Sequence, residues 1–278
     1  MSKNLILVLG LFVFIGLGIG LFFLPKSVVE NNRKLETTEE TNSPDKDAVE
    51  MESNHSTNAL PESEIATIKQ SISTEIDKKK KSGYLEVLGK TFLKANRFDS
   101  AGHYFELAAK DNPDKKELIY KAGSAYFEGI AFTNNPSKTD QLSAKARSLL
   151  GQVDEKNPNL AEAQAKIAMT WVNTEAPMKG ILRLRELAEA YPKNEYIAFQ
   201  LGMLSFQSGQ YEKAVGRFET VLLLNSKNVN ACFYLAQSLI QLGKTKEASP
   251  WVEKGISISE EEDTKASFLE LKKQLNGN

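Results

Sequence analysis

The sequence predicts an all-α solenoid of about five helix pairs with capping helices, preceded by one transmembrane helix and a disordered linker. Three observations carry that expectation. Apolar residues recur at spacings of three and four through most of the chain, and β-branched alternation never runs long. Small residues return every thirty-four positions, and one long run near the start carries no charge. At 278 residues, 41% hydrophobic and 26% charged, the chain holds enough apolar material for a sizeable core plus tails.

Residues 1–4 form a short tail. Residues 5–24, LILVLGLFVFIGLGIGLFFL, contain sixteen Leu, Ile, Val or Phe and four Gly. Twenty residues rising about 1.5 Å each span roughly 30 Å, the thickness of a bilayer core. An uncleaved anchor is expected, because the run is longer than a signal-peptide core and Pro25, Lys26 and Ser27 do not make a small-residue cleavage site. Gly16 and Gly20 have the GxxxG spacing that lets two membrane helices touch. Lys26, Arg33 and Lys34 follow the run and only Lys3 precedes it, so counting bases alone places the remainder in the cytoplasm. A very short leading tail before a signal-like run favours export instead, and the expectation is a single-pass protein with its repeats on the non-cytoplasmic, periplasmic side.

Residues 25–61 hold too few large apolar groups to offset chain entropy and are expected to be a disordered linker. Asn54, His55 and Ser56 match a glycosylation sequon, a pattern that arises often by chance. Residues 62–81 then place Ile65, Ile68, Ile72 and Ile76 along one helical face, with Ser63 as N-cap and Lys78 to Lys81 at the negative end of the dipole. Such an amphipathic helix covers the first repeat or, alternatively, pairs with a second copy as a short coiled coil.

The repeats occupy residues 82–262. In LGMLSFQSGQYEKAVGRFETVLLLN, from Leu201, the small residues Gly202, Gly209 and Ala214 interrupt bulky ones, and thirty-four positions later Ala236, Gly243 and Ala248 answer them. Upstream, Ala168, Gly180 and Leu184 fill the same slots, as do Gly89, Ala101 and Phe105 in the first unit. A longer unit runs from Gly123 and Tyr126 to Ala146 and Leu150, with about eleven extra residues assigned to its inter-helix turn, 130–141. The units are 82–115, 116–160, 161–194, 195–228 and 229–262. The small residues of the first helix are read as facing Ala101, Ala146, Gly180, Ala214 and Ala248 of the second, with Phe105, Leu150, Leu184 and Phe218 filling the space beside them. No single pair buries its apolar face alone, so stacking is required. Residues 263–278 bring Phe268, Leu271 and Leu275 to one face as a capping helix.

This pattern resembles the tetratricopeptide repeat (TPR) family, whose unit is an antiparallel helix pair of thirty-four residues. Ser205 departs from the family's usual aromatic, Gly180 from its alanine, and Ser226 and Glu260 from its terminal proline. The resemblance implies a concave groove lined by first helices that receives a peptide or helix of a partner protein. Carried over slot by slot, that groove would show Tyr120, Phe127, Met169, Val172, Phe199, Met203, Phe206, Phe233, Gln237 and Ile240. Chaperone-binding members hold a terminal carboxylate with lysine and asparagine there; the matching places here carry Glu86, Lys90, Tyr120, Ala165 and Met169, so that clamp is not reproduced. The layout is similar to bacterial anchored repeat proteins that assist cytochrome maturation or accompany the translocon, which implies support of an envelope protein complex. A self-associating scaffold at the membrane, hence a homo-oligomer, is the alternative.

Chemistry is sparse. His55 falls in the linker, His103 on an outward second-helix position, and Cys232 at a packing position, where a buried inert thiol is expected. The only glycine-rich stretch, GLGIG, lies inside the apolar run and cannot cradle phosphate. Residues 82–262 carry 22 Lys plus Arg against 22 Asp plus Glu, a balance that argues against nucleic-acid binding. No catalytic residue, cofactor or metal site is expected.

Overall fold

The computed structural model describes residues 61–276, residues 173 and 175 excepted. The expected tail and anchor, and the linker up to residue 60, lie outside the described residues. Among the described residues, no helix is long and apolar enough to cross a membrane.

Twelve α-helices are found among the described residues. They are α1 (Glu62–Thr74), α2 (Lys78–Lys94), α3 (Phe98–Asp111), α4 (Glu117–Gly129), α5 (Pro136–Leu150), α6 (Leu160–Val172), α7 (Pro177–Ala190), α8 (Glu195–Gln207), α9 (Tyr211–Leu224), α10 (Val229–Gln241), α11 (Thr245–Ile258) and α12 (Glu262–Asn276). The strongest packing is between sequential neighbours, within the pairs α2 with α3, α4 with α5, α6 with α7, α8 with α9 and α10 with α11, and between pairs at α3 with α4 and α9 with α10. The first helices also touch one another in series, α4 with α6, α6 with α8 and α8 with α10. The result is a TPR-like helical repeat array.

Close approach explains the small residues of the first helices. A Cβ on Gly89 would lie 2.7 Å from the Phe105 ring, on Gly123 2.7 Å from Leu150, and on Gly202 2.6 Å from Phe218. The glycines therefore face the large second-helix residues themselves, whereas the sequence reading set them against Ala101, Ala146 and Ala214. In the third unit a small second-helix residue makes the approach, Gly180 coming against the Ala168 carbonyl. Gly209 and Gly243 serve a different need. They have φ of 71° and 72°, sit in open space, and close the turn between the two helices, as Asn96 does at 58°. In each case the following amide, of Arg97, Gln210 or Lys244, donates to the carbonyl five residues back, of Phe92, Ser205 or Leu239, at 2.8–2.9 Å.

Two boundaries differ from the sequence expectation. The helix expected over 62–81 breaks after Thr74, because Asp77 accepts from the Lys80 amide at 2.9 Å and caps a new helix. Lys78 to Lys81 thus stand at the positive end of α2, not at a negative end, and Ile76 is 94% exposed while Ile65, Ile68 and Ile72 pack on the first core. The turn expected over 130–141 is also shorter. A 3₁₀ turn, Ile130–Phe132, leads to Asn135, which accepts from the Lys138 amide, and Pro136 opens α5 at once. The added length is spent on sliding α5: it begins ten residues before Ala146 and ends four after, whereas α9 begins three before Ala214 and ends ten after.

The core runs along the stack as four clusters. Leu85, Leu88, Phe105 and Leu118 lead the first, Tyr126, Leu142 and Leu150 the second, Leu184, Leu187 and Ile197 the third, and Phe218, Leu235, Val252 and Phe268 the fourth. Phe268 of α12 rests directly on Gly255, where any Cβ would overlap its ring.

Candidate functional site

The first helices α4, α6, α8 and α10 form one wall, and it holds all ten residues of the expected groove. Each of the ten is half-buried. Tyr120 and Phe127 pack on the second core cluster, Met169 on the third, and Phe199, Met203, Phe206, Phe233 and Ile240 on the fourth. The wall therefore presents edges of residues whose other sides hold the stack together.

Between its ends the wall is polar at one point that the sequence reading missed. Lys166, 6% exposed at its side chain, pairs with Glu128 at 3.0 Å and with Glu162 at 3.3 Å. Its ammonium lies 5.8, 5.6 and 5.4 Å from the ring centres of Tyr120, Phe127 and Tyr196. Burial pushes the Tyr196 hydroxyl well above its ordinary range, with the Glu128 and Glu162 carboxylates adding to it, and that hydroxyl has no hydrogen-bond partner among the described residues. Tyr120 is raised for the same leading reason, burial, with Glu162 next. A lysine inside an apolar run four residues after a glutamate was the available signal; the third partner, Glu128, comes from the preceding unit and leaves no local mark.

Toward α10 the wall becomes aromatic. Tyr234, also overlooked from sequence, gathers Phe199 at 6.2 Å, Phe206 at 5.4 Å and Phe233 at 5.5 Å between ring centres. Phe233 meets Phe268 of the cap at 5.3 Å. Beside Phe199 and Tyr196, at the N-terminal ends of α8 and α10, a cleft of about 480 Å³ is lined by Glu162, Glu195, Gln200, Asn228 and Asn230. Glu195 is held in place by Asn225 and Asn228, whose amides donate to it at 3.0 and 2.7 Å.

Elsewhere, Glu86 of α2 accepts from Lys121 at 3.1 Å, pairs with Lys90 at 2.9 Å and is bonded by Lys115. Burial alone would raise its carboxyl, but these three ammoniums together outweigh burial and hold it at about 2. Cys232 is fully buried, and burial raises its thiol above the ordinary value. Among the described residues, no group of three His, Cys, Asp or Glu is placed to hold a metal ion.

Paired helices in series and a continuous first-helix wall define a helical scaffold of the repeat class. A family model described as anaphase-promoting complex, cyclosome, subunit 3 matches residues 181–254, well under half of the chain. The TPR repeat-containing protein YpiA of Bacillus subtilis (strain 168) is 32% identical over 127 residues, 43% of this chain and 29% of that protein. The matched stretch thus spans under a third of that relative. Among solved structures, yeast Tom70 superposes with a TM-score of 0.56 at 14% identity, over 83% of this chain and 45% of Tom70. TTC0263, a thermophilic TPR protein of Thermus thermophilus, gives 0.50 at 17% identity over 70% of this chain and 97% of its own. At these identities the likeness speaks for the fold alone. It agrees with the thirty-four-residue spacing of the sequence in giving this chain a TPR-like helical repeat fold.

Proposed function

We propose that this is a membrane-anchored interaction module that binds a peptide or helix of a partner protein along the first-helix wall and supports assembly of an envelope protein complex. Binding, not bond-making, is the proposed activity. The observation that carries this reading is the run of half-buried aromatic, methionine and isoleucine side chains from Tyr120 to Ile240 on helices that touch in series. Such partly exposed edges offer an amphipathic helix both apolar contact and adaptability. In this reading residues 5–24 are the anchor and the repeats lie on the non-cytoplasmic side, where confinement at the membrane raises the effective concentration of a membrane partner.

A photo-crosslinker placed at Gln237 or Met203 in native membranes, with Glu219 on a second helix as the control, tests the wall. A single partner band from the wall positions, absent from Glu219, is expected. Equal labelling from Glu219 sinks the assignment, and a product of twice the chain's own mass makes the protein the self-associating scaffold. Protease added to intact spheroplasts is expected to cut the repeats; protection of the repeats there puts them in the cytoplasm.

A further inference from the structure

The fourth unit lacks an aromatic at a place where the first, third and fifth units each have one. In the first unit Phe92 and Tyr104, three and fifteen positions after Gly89, stack with ring centres 5.2 Å apart. The fifth unit fills the same two slots with Leu239 and Trp251 and the third with Trp171 and Arg183, whose guanidinium pairs with Glu186 at 2.9 Å, but the fourth has Ser205 and Arg217. Arg217 reaches from α9 to the space an aromatic would fill, donating through one Nη to the Leu201 carbonyl at 2.6 Å and to the Ser205 hydroxyl.

A cleft of about 330 Å³ remains above this pair, between α7, α8 and α9. Its walls are apolar, with Met178 and Ile181 on one side and Leu204 on the other, and Arg185 of α7 enters it as a second guanidinium. Burial, and then the charge of Arg185, lower the Arg217 guanidinium from its ordinary value. Among the described residues, no carboxylate pairs with either arginine, although ten of the other basic side chains have such a partner. Two like charges share a cleft in which, among the described residues, no carboxylate pairs with either.

We infer that this cleft is a docking site for an acidic peptide segment of a partner protein, one carboxylate side chain entering between Arg185 and Arg217 while an adjacent apolar side chain lies on Met178, Ile181 and Leu204. Charge complementarity selects the carboxylate, and a fixed guanidinium fork suits it. The apolar walls select a peptide over free phosphate, which gains nothing from them. A cleft walled by three helices suits a single peptide side chain better than a flat layer of headgroups. The site shares none of the ten wall residues, so its failure leaves the first-helix wall untouched, and failure of the wall leaves it standing.

The test uses the full chain in detergent micelles and a fluorescein-labelled peptide, Gly-Ser-Leu-Glu-Leu-Ser, followed by fluorescence anisotropy. The peptide is expected to bind at least about tenfold more tightly than its Gln counterpart. Arg185→Gln lowers that affinity about tenfold with unchanged Tm, and Arg185→Lys recovers part of it. Ser205→Phe, which restores the family's aromatic, fills the recess and abolishes binding. Equal affinity for the Glu and Gln peptides overturns the inference, as does an Arg185→Gln variant that binds normally. Displacement of the peptide by an equal concentration of inorganic phosphate, or Arg185-dependent capture of phosphatidylglycerol vesicles without capture of the peptide, also overturns it in favour of those ligands.

Discussion

Glu86 shows how a single residue ties two units together. Its carboxylate is almost covered, yet it stays charged because Lys90 comes from its own helix, Lys115 from the turn before α4 and Lys121 from α4. Its carboxyl sits at about 2 against an ordinary 4.5, so the folded state holds the charged form more strongly than the unfolded chain does. The stabilisation is therefore complete above pH 4.5 and is lost as pH falls through 2. Glu86→Gln is expected to cost about 1–2 kcal/mol at pH 7, after allowing for the solvent around Lys90 and Lys115, and close to nothing near pH 2. Urea denaturation at the two pH values checks it; an equal loss at both denies the ion cluster its role. At this scale the sequence was legible only where a residue's reason is local. Gly89, Gly123 and Gly202 read as sites of close approach from spacing alone. Gly209 and Gly243 did not separate from them, since the pattern reports that a residue is small and not that its φ is positive.

Among the elements, α12 has the clearest duty. Phe268 seats on Gly255, meets Phe233 edge to face, and closes the fourth core cluster. Phe268→Ala is expected to cost about 3–5 kcal/mol, as the loss of a fully buried ring does, while Leu269→Ala on the open face changes stability by under about 0.5 kcal/mol. Thermal unfolding of the two variants checks the contrast, and equal Tm values contradict the capping role. The helices themselves were legible because their apolar period is long and regular. Boundaries set by one hydrogen bond were not: the break at Glu75 to Asp77 depends on a carboxylate finding the Lys80 amide, and the start of α5 depends on Asn135 finding that of Lys138. The sequence reading treated Lys78 to Lys81 as the end of a helix because a basic run suits a C-terminus, and the Asp77 cap outweighs that preference.

For the whole array, neighbour-only packing means that stability is a sum of local terms and that damage stays near its origin. Phe218→Ala empties the middle of the fourth cluster, so amide exchange is expected to quicken by about tenfold or more across α8 to α12 while α2 to α4 stay protected. Uniform quickening along the chain contradicts a divided core. The ten wall residues were carried over slot by slot from the repeat family that the spacing resembles, and their position on the first helices is the legible part of the proposed surface. The Lys166–Glu128 pair and the Tyr234 contacts with Phe199 and Phe206 were not read, because each joins residues from different units and no fixed spacing announces them.

The slide of α5 has one more effect. An unbroken screw would carry each helix pair onto the next by the same rotation and rise, but the second pair, starting two turns early and stopping six residues short, interrupts that operation as a stacking fault interrupts a crystal. One pair, α2 with α3, stands before that fault and three stand after it, so a guest that follows the regular rise finds it on α6 to α11.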